Sequence, residues 1–265
     1  SNSNPILDDL FKFTVDRSEG IYKRWFLEDL LANWSNVSAR DYEKYGKIPD
    51  LKQQVDFYAK NIKNAKTKSY VIISDALRYE VAKELFDEIK QDMQCKVELD
   101  HMEGIFPTIT PFGMAALLPH KELKVDIRNN KLKILIDGES TDMPNREKVL
   151  QKANEKSRVL KYDDMIHMKG EERKELVKGM DVVYIYHDKI DSASHTSDSM
   201  VFAACYEAIE EIKNLVRILV NEFSAVNIFI TSDHGFLYTY EEFREDDKVA
   251  QEGFEGLVDF GRRYA

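Results

Sequence analysis

Cysteine is scarce in this chain. Cys95 and Cys205 are the two in 265 residues; they lie far apart and form no Cys-x-x-Cys pair, so a reduced, cytoplasmic setting is the simpler reading. No apolar run approaches 18 residues and no signal-like hydrophobic segment opens the chain, which argues against a membrane protein. The glycine spacing of a phosphate loop is missing, and that weakens a nucleotide-binding regulatory module. Positive charge is outnumbered: 38 Lys and Arg face 48 Asp and Glu, for a net charge of -10. Such a balance opposes a broad basic surface gripping nucleic acid, but not a phosphate-bearing substrate, since bound divalent cations reverse the sign locally. What remains, 43% hydrophobic and 32% charged, is ordinary for a globular protein with a sizeable core. The opening Ser1-Asn2-Ser3 reads as the remnant of a removed tag, and hence the chain as a piece of a longer protein.

Hydrophobic period organises what is present. Residues 20–35 place Tyr22, Phe26, Leu30 and Trp34 at helical spacing, with Trp25, Leu27 and Leu31 widening the stripe. A polar connection holding Pro49 precedes a second expected helix, "DLKQQVDFYAKNIKNA". Residues 1–66 are thus expected to form an N-terminal helical segment, and 67–265 a core domain. There "SYVIISD", "KVELDHMEGI", "DVVYIYHD" and "AVNIFITSD" read as strands, and "LKVDI" with "LKILIDG" as a short pair. Helices are expected after Asp75, over "NREKVLQKANEK", and over 198–223, the last capped by Thr196 or Ser197. The final 25 residues predict loops or short helices. Buried strands alternating with helices predict an α/β fold: three layers, with a mostly parallel central sheet flanked by helices.

Function in such a sheet lies beyond the carboxyl ends of its strands. Three strong strands end there in metal-ligand chemistry: Asp75 after "VIIS", Asp191 and His195 after "VVYIYHDKI", and Asp233 with His234 after "IFITS". Asp191 and His195, four apart, fit one helical turn. Clustered carboxylates repel each other unless cations join them, and mixed oxygen and imidazole donors suit zinc first, with manganese or magnesium as alternatives. Two ions would clamp the oxygens of a phosphoryl transfer. His187, inside a strand end, is either structural or a group that orients a ligand. A nucleophile is offered by "GIFPTITPFGMAALLP", where Pro107 and Pro111 stiffen the chain around Thr108 and Thr110 and Gly113 permits close backbone approach. Spacing alone does not separate the two threonines.

The ordered set "VIISDALRYE", "FPTITPFGMAALLP", "YHDKIDSASH" and "FITSDHGFLY" resembles the PglZ domain of bacterial phage-exclusion (BREX) systems, a branch of the alkaline-phosphatase-like superfamily. "LIDGESTDMPNREKVL" also looks like a PglZ segment, and the likeness spans 69 to about 241. The resemblance implies an alkaline-phosphatase-like core. It implies one metal held by Asp75, Asp233 and His234, and a second, if present, by Asp191 and His195. The nucleophile would stand between them; the Pro-Thr-x-Thr pattern of related nucleotide pyrophosphatases selects Thr110. Arg78 would either meet the phosphate or face solvent. The implied activity is a metal-dependent phosphatase or phosphodiesterase in phage defence, acting on a phosphate ester, nucleic acid and nucleotides included, through a phosphothreonine that water then cleaves. Other BREX proteins are the implied partners. The superfamily supplies a further histidine after the "DHG" motif, and none follows His234, which suggests a ligand beyond Ala265 in the parent protein, a substitute, or a branch that binds the second ion weakly. The rival reading is a structural or regulatory subunit of a defence complex that keeps the site as a metal brace or vestige.

Overall fold

A computed structural model of the chain describes residues 5–128, 131–195 and 198–238, in two compact units. The Thr196/Ser197 cap and the charged C-terminal stretch lie outside the described residues. The first unit is helical: α1 (Pro5–Ile21) continues through wider π-type turns (Tyr22–Leu30) into α2 (Leu31–Tyr45). Helix therefore runs ten residues beyond 35. It stops where Gly46 adopts φ 66°, the left-handed conformation that ends helices without a Cβ clash. Trp25 and Trp34 are exposed.

The second unit starts at Lys52, so residues 52–66, grouped by sequence with the preceding helices, belong to it. Phe57, Tyr58 and Ile62 are buried there, in short 3₁₀ (Gln54–Asp56) and π-type (Tyr58–Ile62) turns rather than one regular helix. The remaining elements run β1 (Ser69–Ser74), α3 (Tyr79–Asp92), α4 (Thr110–Ala116), β2 (Leu123–Arg128), β3 (Lys131–Ile136), β4 (Glu139–Ser140), α5 (Arg146–Ala153), β5 (Ser157–Lys161), α6 (Tyr162–His167), α7 (Gly170–Val177), β6 (Val182–His187), α8 (Lys189–Ser194), α9 (Asp198–Phe223) and β7 (Ile228–Thr231). Strands β5-β6-β1-β7 pair in that order, all parallel; β2-β3-β4 form a separate antiparallel sheet.

The central strand shows why its sequence is apolar throughout. Tyr70 and Ile72 point into a core shared with α3, α6, α7 and α9, while Val71 and Ile73 point into another with α4, α5 and β3. Covered on both faces, β1 has no solvent side on which to alternate. The helical layers on either face make three layers, as expected.

One expected strand is absent. Residues 96–105 are irregular apart from a single bridge between Gln53 and Glu103. Their alternating pattern finds no partner ladder. Conversely β5, with Arg158 and Lys161 in five residues, went unread because an edge strand carries few apolar positions.

Candidate active site

Parallel pairing aligns the ends of β1, β6 and β7. Ser74 lies opposite His187 and Ile73 opposite Thr231, so the residues that follow emerge along one edge. Asp75 comes next; its N–H donates to the His187 carbonyl at 2.7 Å. The chain then turns through Ala76 at φ 63°, a left-handed conformation that costs a non-glycine residue about 1–2 kcal/mol. That turn aims the Ala76 N–H at Asp233 Oδ1, 3.1 Å away. After β7, buried Gln54 holds the backbone in place. Its Nε2 donates to the carbonyls of Ser232 (3.0 Å) and Asp233 (2.6 Å), and its Oε1 accepts from Ile105 N–H at 3.1 Å. From the other side α4 presses in at Gly113, where a Cβ would lie 2.1 Å from the Asp233 carbonyl oxygen.

These contacts converge three donors. One ligand atom each from Asp75, Asp233 and His234 lies within 4.8 Å of the others. His234 Nε2 is 3.5 Å from Asp75 Oδ1 and 3.4 Å from Asp233 Oδ2. Thr110, first residue of α4, sets its Oγ1 3.0 Å from His234 Nε2 and 3.5 Å from Asp75 Oδ1. Thr108 is exposed, and its methyl packs near Gly104. Geometry thus separates two hydroxyls that spacing left equivalent. Asp191 and His195 do not join the three-donor group. They sit on α8 and its end and pair with each other, Nε2 to Oδ2 at 3.2 Å, with His195 exposed. Asp191 still lies near enough for its charge to raise the Asp75 pKa.

Electrostatics describes a centre short of positive charge. Burial pushes Asp75 well above the usual carboxylate range; Asp233 and Asp191 add to this, against His234. Burial also raises Asp233, opposed by backbone N–H groups led by that of Ala76. Asp233 Oδ2 is buried with no hydrogen bond, an acceptor left for something the protein does not supply. Two crowded carboxylates, an orphaned oxygen and an imidazole fit a divalent cation.

Among the supporting residues Gln54 and Glu211 gave no sequence signal, whereas His187 and Arg78 did. Gln54 sits in an unremarkable polar stretch, and its partners lie 178 and 179 positions away. A relay runs beneath Asp75: Ser74 Oγ meets His187 Nδ1 at 2.9 Å, and His187 Nε2 meets Glu211 Oε2 at 2.8 Å. Ser74 is fully buried, so this chain braces the strand ends rather than offering a nucleophile. Arg78 does not point to solvent. It lies over the Tyr238 ring at 4.4 Å and pairs with Glu80, and its Cβ packs against Gly235, where an added Cβ would come within 2.7 Å.

Comparison with known proteins accords with this architecture. A family model for the BREX system PglZ alkaline phosphatase-like domain matches residues 52–265, from the first residue of the second unit onward. Over 249 residues the chain is 36% identical to the alkaline phosphatase-like protein BrxZ of Escherichia coli O9:H4 (strain HS), covering 91% of this chain and 28% of that protein. It is 34% identical, also over 249 residues, to the alkaline phosphatase-like protein PglZ of Bacillus cereus (strain H3081.97), covering 92% of this chain and 29% of that one. The chain therefore spans under a third of either relative's length. Among the described residues no helix is long and apolar enough to cross a membrane. With four parallel strands, a carboxylate-histidine cluster at their carboxyl ends and a matched stretch covering most of its length, the chain belongs to the BREX-system PglZ alkaline phosphatase-like family.

Proposed function

We propose that this chain carries a metal-dependent phosphohydrolase centre, a phosphatase or phosphodiesterase working in phage defence, with Thr110 as nucleophile. The observation that carries the reading is the Thr110 hydroxyl 3.0 Å from His234 Nε2 and 3.5 Å from Asp75 Oδ1, beside the three donors. Asp75, Asp233 and His234 would hold a divalent cation, zinc by preference, with Asp191 and His195 as candidates for a second ion. When bound, such a cation supplies charge neutralisation and lowers the pKa of a coordinated hydroxyl.

The protein's own contribution is placement. Gln54 and the Ala76 amide fix Asp233, and the Gly113 contact sets how far α4 carries Thr110 into the centre. In the first step the Thr110 Oγ1–phosphorus bond forms as the ester phosphorus–oxygen bond breaks; the hydroxyl proton leaves and the departing alcohol gains one. Water then cleaves the phosphothreonine, restoring the hydroxyl and releasing the phosphate product.

The test is turnover of bis(4-nitrophenyl) phosphate with zinc or manganese added. Thr110→Ala should reduce kcat by about a thousandfold or more while zinc binding and melting temperature stay unchanged. Tight zinc retention without turnover, in this chain and in the full-length protein, would instead make the domain a metal-braced binding part of a defence complex.

A further inference from the structure

Beside Asp75 lies a cavity of about 530 Å³ along the carboxyl ends of β5 and β6; Arg146, Lys161 and Lys189 line it together with Asp163, Asp188 and Glu211, the last of these paired with Lys189. Arg146 opens α5, inside the 135–150 segment to which the catalytic reading assigns nothing. Its guanidinium carbon stacks 4.5 Å from the Tyr186 ring centre, its Nε donates to the Thr141 carbonyl at 3.0 Å, and its Nη1 reaches the Met143 sulfur at 3.5 Å. Tyr186 is buried, so the platform beneath the guanidinium is fixed.

Charge sets Arg146 apart. Among the described residues the three other half-buried arginines each have a carboxylate: Arg78 has Glu80, Arg158 has Glu147 and Arg173 has Glu222. Arg146 has none within 4.0 Å among the described residues, in a chain of net charge -10. Lys161, at the same cavity, likewise has no carboxylate partner there, whereas Lys189 is bound to Glu207 and Glu211. A guanidinium cannot shed its charge, so one held half out of water without a counter-ion is prepared for an anion.

We propose that this cavity seats a second phosphate of the substrate, next to the ester being cleaved, and that Arg146 is the specificity-determining residue that binds it. The inference rests on the phosphohydrolase reading and narrows it. The preferred substrate carries consecutive phosphates, as in a nucleic acid strand or a nucleoside polyphosphate, and is not a small isolated ester. Tyr162 and the methionines Met114 and Met143 line the same space and would receive the group between the phosphates.

The test compares the full 265-residue chain, zinc-loaded, with its Arg146→Gln and Arg146→Lys variants. The substrates are bis(4-nitrophenyl) phosphate, the dinucleotide dTpdT, its 5′-phosphorylated form pdTpdT, and ATP. Arg146→Gln should lower kcat/KM on pdTpdT or ATP by about tenfold or more, and on the other two by less than about threefold. Arg146→Lys, which keeps the charge without the fork, should fall between. A loss on pdTpdT alone assigns the site to strands, and a loss on ATP alone to polyphosphates. Equal loss on all four substrates, or no loss on any, overturns the proposal. Should the chain turn nothing over, binding decides separately. Zinc-loaded Thr110→Ala should hold pdTpdT or ATP about tenfold more weakly once Arg146→Gln is added. Binding indifferent to that change would refute the anion seat, whereas absent turnover with the seat intact would refute only the catalytic reading.

Discussion

Gly113→Ala probes how tightly the hydroxyl is set against the carboxylate cluster. A Cβ at that position would lie 2.1 Å from the Asp233 carbonyl oxygen, 2.5 Å from its carbon and 2.9 Å from its Cα. All three neighbours are backbone; Gln54 holds the same Asp233 carbonyl, and the Ala76 amide holds the Asp233 carboxylate. Relief to an ordinary contact near 3.4 Å therefore requires α4 to withdraw by about 1.3 Å. Overpacking of this kind costs about 1–3 kcal/mol. For a unit of this size that corresponds to a melting temperature lower by roughly 3–10 °C. The same displacement takes Thr110 out of its contact with His234, and a misplacement near 1 Å lowers kcat by roughly a hundredfold. Calorimetry on the cation-free chain reads the first effect, and zinc-supported hydrolysis of bis(4-nitrophenyl) phosphate the second. Gly104→Ala is the control: its added Cβ would meet the Thr108 methyl at 3.6 Å and should change little. A Gly113→Ala chain that melts and turns over like the parent would mean that α4 does not fix the nucleophile.

Two further outcomes are expected. Because burial raises Asp75 and Asp233 above the ordinary value of 3.8, the folded chain binds more protons than the unfolded one above that value, so cation-free stability falls as pH rises toward neutrality. Melting without metal should be lower at about pH 7.5 than at about pH 5.5, and the zinc-induced rise larger at the higher pH; a pH-independent zinc effect would contradict the cluster. Gln54→Leu leaves the Ser232 and Asp233 carbonyls and the Ile105 N–H without their partner, and should cost about 2–3 kcal/mol in urea unfolding; a loss under about 0.5 kcal/mol would show that the glutamine does not hold the loop.

How much of this was legible depended on where each residue's partner lay. Strands β1 and β6 announced themselves because a strand covered on both faces has no polar positions to blur its apolar run; β7, half-buried at the end of the described sheet, still carries Ile228, Phe229 and Ile230 in succession. Asp75, Asp233 and His234 followed, since parallel strands must end together. Gly113 stood out because a glycine entering a helix signals close approach. The false strand at 96–105 had a fitting alternation but no partner ladder, a condition that local pattern does not contain. Gln54 and Arg146 were invisible as parts of a site, for what they do depends on groups distant in sequence. Asp191 and His195 met each other as their spacing foretold, outside the three-donor group.

The contact from Ala76 to Asp233 joins positions 157 apart in the chain. A cation shared by Asp75 and Asp233 would clasp the two ends of that long excursion. A protease nick within the excursion, for example in the turn at Asp137 and Gly138, would then leave two fragments that migrate together while metal is bound and separate more readily once a chelator removes it.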